Sequence, residues 1–148
     1  YYTSDVAYET GGEKVEPWEP NVTALHDPAA LKWKDLVAAG TPLPTPWAKE
    51  EYEAHAAAVQ AERRRLRAAG APETEVDKLF AAQLAWETKF LSSMTFSGKV
   101  GAFEGASYEP KGLYRPEADC IMFTRDPVGF CRVCRRAIER VIELNTGK

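Results

Sequence analysis

The sequence predicts a mostly α-helical chain with long irregular stretches, and three observations lead there. Two runs between residues 46 and 94 carry apolar residues at helical spacing, with Gly70 between them. A third run repeats Cys131, Cys134, Ile138, Val141 and Ile142 at the same spacing. The remaining sequence is interrupted by proline and glycine too often for long regular elements.

The 148 residues suit one domain or a large piece of one. A hydrophobic content of 45% with 28% charged residues is that of a folding chain rather than a disordered one. The net charge of -3 gives no electrostatic reason for a nucleic-acid or anionic-membrane partner. No apolar run approaches the ~20 residues that span a bilayer. The chain opens on Tyr1-Tyr2 with neither an initiator Met nor a signal-peptide pattern, which reads as a start inside a domain and leaves export undecided.

The first 46 residues are punctuated by Gly11-Gly12, Pro17, Pro20, Pro28, Pro42, Pro44 and Pro46. Asp27 as N-cap and Pro28 at the first helical position predict one short helix there. Leu31, Trp33, Leu36 and Val37 anchor this segment onto a core supplied from elsewhere.

Residues 46 to 94 read as a helical hairpin. Thr45 is placed to cap it and Pro46 to open it, with Glu50 and Glu51 at the positive end of the macrodipole. Arg63, Arg64, Arg65 and Arg67 crowd the negative end before Gly70 stops the helix. This basic run, flanked by acidic residues, reads as a solvated helix end rather than a nucleic-acid patch. The second helix starts at Pro72 and has a wide apolar face of Val76, Leu79, Phe80, Trp86, Phe90 and Leu91. The first has only Tyr52, Val59 and Leu66 among alanines, which predicts a peripheral helix packed mainly on its partner.

Residues 96 to 119 carry Gly98, Gly101, Gly105 and Gly112 between Val100, Phe103, Tyr108, Leu113 and Tyr114. This predicts irregular backbone pinned by aromatics, a kind of segment that often lines a site. Glu104, an acid among glycines and apolar residues, is expected to accept neighbouring N–H groups and fix the loop.

Among residues that carry chemistry, the two histidines stand apart from one another: His26 in a proline-flanked loop, His55 in mid-helix with no ligand four residues on. Neither has a His-Glu-x-x-His context, and neither is assigned a catalytic role. No nucleophile elbow and no phosphate-binding glycine loop is present. The informative pattern is Cys120, then Cys131-Arg-Val-Cys134 at a helix start, where thiol pKa values fall. One cross-link would leave one thiol over, and a tetrahedral metal would need a fourth ligand. A disulfide from Cys120 to one of the helix cysteines is favoured over a structural metal, and the redox compartment stays open.

A long ordered series of segments supplies a resemblance. The stretch from Gly98 to Pro116 (GKVGAFEGASYEPKGLYRP), Asp119 to Thr124 (DCIMFT), Phe130 to Cys134 (FCRVC) and Ala137-Ile138 closely resemble the end of the IgA-peptidase family domain. Upstream, the segment from Tyr1 to Tyr8 is similar to the sequence just after that family's zinc-binding helix. Glu19 to Thr23, Lys32 to Lys34 and Gly40 to Thr45 fit as well.

The resemblance implies an α+β fold: the C-terminal subdomain of a metzincin-like bacterial zinc metallopeptidase, mostly helical and irregular in this portion. Residues 1–148 would then be the C-terminal part of one catalytic domain, with the helical hairpin at 46–94. The cofactor is zinc (Zn2+), bound by a His-Glu-x-x-His helix upstream, so this portion carries no zinc ligand and no general base. The implied partners are a peptide or protein substrate and the N-terminal half of the same domain, with no nucleic acid and no membrane span. The implied location is extracytoplasmic or secreted. Met122 fits the Met-turn that floors a metzincin zinc site, packing under the ligand imidazoles as a soft apolar base. Gly101, Phe103, Glu104, Tyr114 and Arg115 are the substrate-cleft candidates. Phe123 and Thr124 stand where some metzincins have an oxyanion-stabilising Tyr, which leaves Tyr114 and Arg115 as candidates for that role. The alternative is a non-enzymatic helical module that binds a protein partner and is stabilised at its C-terminus by cysteines.

Overall fold

Asp27 and Pro28 do start a helical turn, but a short one. In a computed structural model, which describes residues 15–125 and 128–147, it is a single 3-10 turn, Pro28–Ala30. The Asp27 carboxylate accepts the N–H of Ala29 at 2.8 Å. A second such turn, Lys34–Leu36, follows at once. Between them Leu31 and Trp33 turn inward, and Trp33 is fully buried. Lys32 clasps the preceding loop by donating to the carbonyls of Pro17, Glu19 and Val22, with Glu16 as its ion-pair partner at 2.9 Å. The segment from Tyr1 to Tyr8 and Gly11-Gly12 lie outside the described residues.

The helical hairpin forms as α1, Lys49–Ala68, and α2, Glu73–Ser92. Gly70, at φ +63, stops the first helix, its left-handed backbone being one that a side chain would disfavour. The cap is a correction. Thr45 does not cap α1, whose N-cap position is Ala48. Thr45 is buried and bridges two loops: its hydroxyl donates to Pro42 O at 2.8 Å and accepts from Ala102 N at 2.9 Å. Three residues separate Thr45 from the helix because Trp47 must turn back to the sheet, donating Nε1–H to Glu104 O at 3.1 Å.

Residues 96 to 119 depart further from expectation. In place of irregular backbone throughout, β1, Phe103–Ala106, pairs antiparallel with β2, Glu109–Arg115. Thr23 extends the pair by bridging to Tyr114, with N···O distances of 3.1 and 2.8 Å. The strands were hidden for two reasons. Gly105, at φ +101, sits in a bulge that interrupts the alternation between Glu104 and Ala106. The connecting turn is Ser107-Tyr108, both at positive φ, where Asn-Gly or Asp-Gly is the usual signal. The chain is thus α+β, three α-helices and a two-stranded sheet among the described residues.

The main core gathers Leu31, Trp33, Val100, Val133 and all three cysteines, with Leu25, Leu36, Val37 and Leu43 packed around them. A smaller cluster of Val22, Ala106 and Leu113 lies under the sheet. The final helix α3, Arg132–Thr146, starts at Cys131 and ends at Gly147 in the left-handed conformation. Its first turn is buried through Val133 and Cys134, while Ile138, Val141, Ile142 and Leu144 remain exposed. No helix among the described residues is long and apolar enough to cross a membrane.

Gly101 is where three segments touch. Its carbonyl accepts Trp33 Nε1–H at 2.7 Å and its N–H donates to Pro116 O at 2.7 Å. A Cβ there would lie 2.2 Å from Thr45 Oγ1 and 3.2 Å from Phe103 Cε2. Gly101→Ala should therefore destabilise the fold by about 1–3 kcal/mol, as overpacking does. Urea unfolding of both proteins measures this, and an unchanged midpoint would show that the contact relaxes freely.

Candidate functional site

The bulge at Gly105 has a consequence for the site. It takes the carbonyls of Glu104 and Gly105 out of the regular ladder, and buried carbonyls need donors. Arg115, at the end of β2, supplies them: Nη1 donates to Glu104 O at 3.0 Å and Gly105 O at 2.8 Å. The other side of the guanidinium, Nε and Nη2, donates to Ala118 O at 3.3 and 3.0 Å. Its faces meet Trp47 at 4.4 Å and Phe123 at 3.5 Å from the ring centroids. Among the described residues these bonds run to main-chain carbonyls and not to a carboxylate. Burial pulls the Arg115 pKa down to about 9, against the opposing pull of Tyr52, Asp119 and Cys120, so it stays cationic at neutral pH.

Ala118 leads into a tight turn. The N–H groups of Phe123 and Thr124 both donate to Cys120 O, at 2.7 and 3.0 Å, and Thr124 Oγ1 donates to Asp119 at 2.7 Å. The turn carries Met122 at its tip, 64% exposed. Phe123 points back into the aromatic group of Trp47, Tyr52, Trp86 and Phe90; its ring lies 5.5 Å from Tyr52 and 6.3 Å from Trp47. Arg125 lies over Phe80 of α2 at 4.5 Å. Besides the packing of α1 on its partner helix expected from its thin stripe, the hairpin also contacts this turn. Its root braces the turn from both helices.

Behind the turn the three cysteines meet. They are buried and unbonded, with Cys120 Sγ 3.9 Å from Cys134 Sγ. Cys120 does approach the helix cysteines, but the expected cross-link is not formed. Hydrogen bonds from the Cys131 and Cys134 thiols hold Cys120 well below the usual thiol range, against the raising effect of burial. The same contacts push Cys131 and Cys134 up.

The remaining candidates separate. Phe103 and Gly101 are interior, and Arg115 is only 5% exposed with its donors engaged. Tyr114 is half-buried and pairs across the strands with Glu104. Burial, then the charge of Glu104, raises its phenol pKa, so it keeps its proton. Glu104 accepts Gly112 N–H at 3.1 Å, the loop-fixing role expected of it, and pairs with Lys49 at 2.7 Å. Lys49 also donates to Pro110 O. His26 is exposed, and His55 stacks on Trp86 with centroids 3.7 Å apart. Sequence reasoning missed Trp47, Tyr52 and Lys49 as braces of the site. Their signal, an aromatic and a base at the root of α1, has no fixed spacing to the strand residues they serve.

With this geometry in hand, the sequence profile described as IgA Peptidase M64 matches residues 1–142. The chain belongs to the IgA Peptidase M64 family. The match runs through the sheet, the Met122 turn and most of α3, and takes in the hairpin as well. M64 membership makes the chain part of a peptidase family. No curated protein matches the chain.

Glu104 gives the strand pair a pH-dependent stability that can be measured. Burial alone would raise its carboxyl pKa, but Lys49, the Gly112 N–H and Lys111 together hold it below the ordinary 4.5. A folded-state value below the unfolded one contributes stability above about 4.5 that is lost as pH falls through the folded value. Glu104→Gln should lower stability at neutral pH and converge with wild type in acid. Unfolding free energies measured across that range check this; a constant difference at every pH would contradict it.

Proposed function

We propose that this M64 chain is the portion of a secreted zinc endopeptidase that lies C-terminal to the zinc-binding helix, and that it supplies the floor and one wall of the substrate cleft. The observation that carries this reading is the Met122 turn. Met122 is an exposed apolar side chain on a backbone made rigid by Cys120 O, Asp119, Arg115 and the aromatic group behind Phe123. A Met-turn needs that combination, a soft side chain offered outward on a fixed support. The exposed apolar side of α3, through Ile138, Val141 and Ile142, further supports packing against the rest of a larger domain.

The chain's own residues do not fit a catalytic zinc site. His26 lies in an exposed loop and His55 is stacked in the hairpin, so no pair faces a common point. Where zinc is bound by a His-Glu-x-x-His helix, it would polarise the scissile carbonyl and lower the pKa of a bound water. The work of this portion is positional. The turn holds Met122 outward, and Glu104 with Lys49 fixes the strand pair beside Tyr114. Tyr114, protonated and half-buried, is the better remaining candidate for oxyanion stabilisation. Arg115 has its donors committed to carbonyls and serves as a positioning residue.

Two measurements test this. The 148-residue chain should show no peptidase activity; chelator-sensitive cleavage of casein by it would sink the reading. In the protein that also contains the zinc helix, Met122→Leu should keep most activity, since volume-conserving swaps usually cost under ~1.5 kcal/mol. Met122→Asp should lose zinc or fold poorly, because its carboxylate would be desolvated or compete as a ligand. Normal activity and zinc content in Met122→Asp would reject the Met-turn.

A further inference from the structure

We propose that Cys120, Cys131 and Cys134 form a structural binding site for one zinc-class metal ion, separate from any catalytic metal, which staples the Met122 turn to the start of α3.

The spacing comes first. All three sulfurs lie within 4.8 Å of one another, with Cys120 Sγ and Cys134 Sγ 3.9 Å apart. Thiolates bound tetrahedrally at about 2.3 Å from zinc stand roughly 3.8 Å apart. A disulfide needs about 2.05 Å. It would join two of the sulfurs and leave the third buried beside the bond. The cluster is thus arranged as a metal-binding face of three donors.

N–H donors face the cluster and would support the sulfurs as thiolates once a cation replaces their protons. Each sulfur accepts an N–H: Cys120 from Cys131 N at 3.3 Å, Cys131 from Cys134 N at 3.5 Å, and Cys134 from Asn21 Nδ2 at 3.4 Å. Cys131 is the N-cap of α3, so two of the ligands sit at the positive end of a helix of 15 residues. The group is buried in the main core among Leu31, Trp33, Val100 and Val133, where an ion would be shielded from exchange. A cavity of about 210 Å³, lined in part by Glu117, Asp119 and Arg135, reaches Cys131 and gives the cluster an approach from solvent. The fourth position is left to a water.

Binding balances as one divalent cation displacing the protons of three thiols, with up to three protons released to solvent and no change of oxidation state. Cys120 lies two residues before Met122 and accepts the turn's hydrogen bonds through its carbonyl. A metal at Cys120 would therefore fix the turn directly. The site stands whether or not the peptidase reading does, because its readouts do not use proteolysis.

The test is cobalt substitution of the reduced, metal-free protein, with thiol titration alongside. One cobalt per chain should bind at the cluster with a thiolate-to-metal charge-transfer absorption. Histidine-ligated cobalt lacks that band, so a catalytic metal cannot imitate it. Zinc should displace the cobalt with release of protons and protect all three thiols from modification. Cys120→Ser, Cys131→Ser and Cys134→Ser should each lower zinc affinity more than about 100-fold, beyond the effect of losing an outer-shell partner. If a serine variant fails to fold, the wild-type spectrum and thiol count still decide. Absence of the charge-transfer band in folded, reduced protein overturns the proposal. So does protein isolated without reductant that carries no metal and only one reactive thiol, since that is a disulfide.

Discussion

The buried guanidinium of Arg115 is the point at which the strand pair, the hairpin root and the Met122 turn meet. It fills the bulge of β1, closes the loop at Ala118 and lies between Trp47 and Phe123. Without it the carbonyls of Gly105 and Ala118 would lose their arginine donor, at a cost of about 1–3 kcal/mol apiece, while Glu104 O would keep only Trp47 Nε1–H. Its charge is also costly to bury, and the aromatic faces offset part of that cost. Lysine could not replace it, because only the planar fork reaches two carbonyls on one side and a third on the other. The strand pair, the root of the hairpin and the Met122 turn all meet at this side chain, and the Trp47–Glu104, Lys49–Glu104 and Tyr52–Phe123 contacts reinforce the junction.

This dependence explains which parts of the fold were legible in the sequence. The helices were, because Val76, Leu79, Phe80 and Leu91 in α2 and Cys134, Ile138 and Val141 in α3 repeat at helical spacing, and Gly70 and Gly147 sit where the chain must turn left-handed. Asp27 was legible as a cap because its partner is two residues away. Thr45 was not: its partner Ala102 is 57 positions downstream, and nothing local distinguishes it from a helix cap. The strands were obscured by the bulge at Gly105 and by a Ser107-Tyr108 turn whose positive φ values are held by the paired strands rather than by turn residues.

The candidate site divides in the same way. Glu104 could be read as a loop-fixing acid from its glycine neighbours, though Lys49 could not be named as its partner. Cys120 and the Cys131–Cys134 pair were visible as a group, but their mutual distances, on which the proposed metal site rests, were not. Arg115 was a cleft candidate only through the family resemblance of its segment. Its burial follows from the bulge, which the sequence concealed. The hairpin likewise gains its role from Tyr52 and Phe80, which reach Phe123 and Arg125 across more than 40 positions of chain.

On this account the hairpin, the arginine and the cysteine cluster serve one end, the rigid presentation of Met122 in a proposed M64 peptidase site. A crystal structure of the zinc-loaded protein that includes the His-Glu-x-x-His helix tests this most directly. The account predicts the Met122 sulfur in van der Waals contact, within about 4 Å, of the zinc-ligating imidazoles, with Phe123 still stacked on Arg115. A zinc site with Met122 in solvent, or floored by another residue, would contradict it.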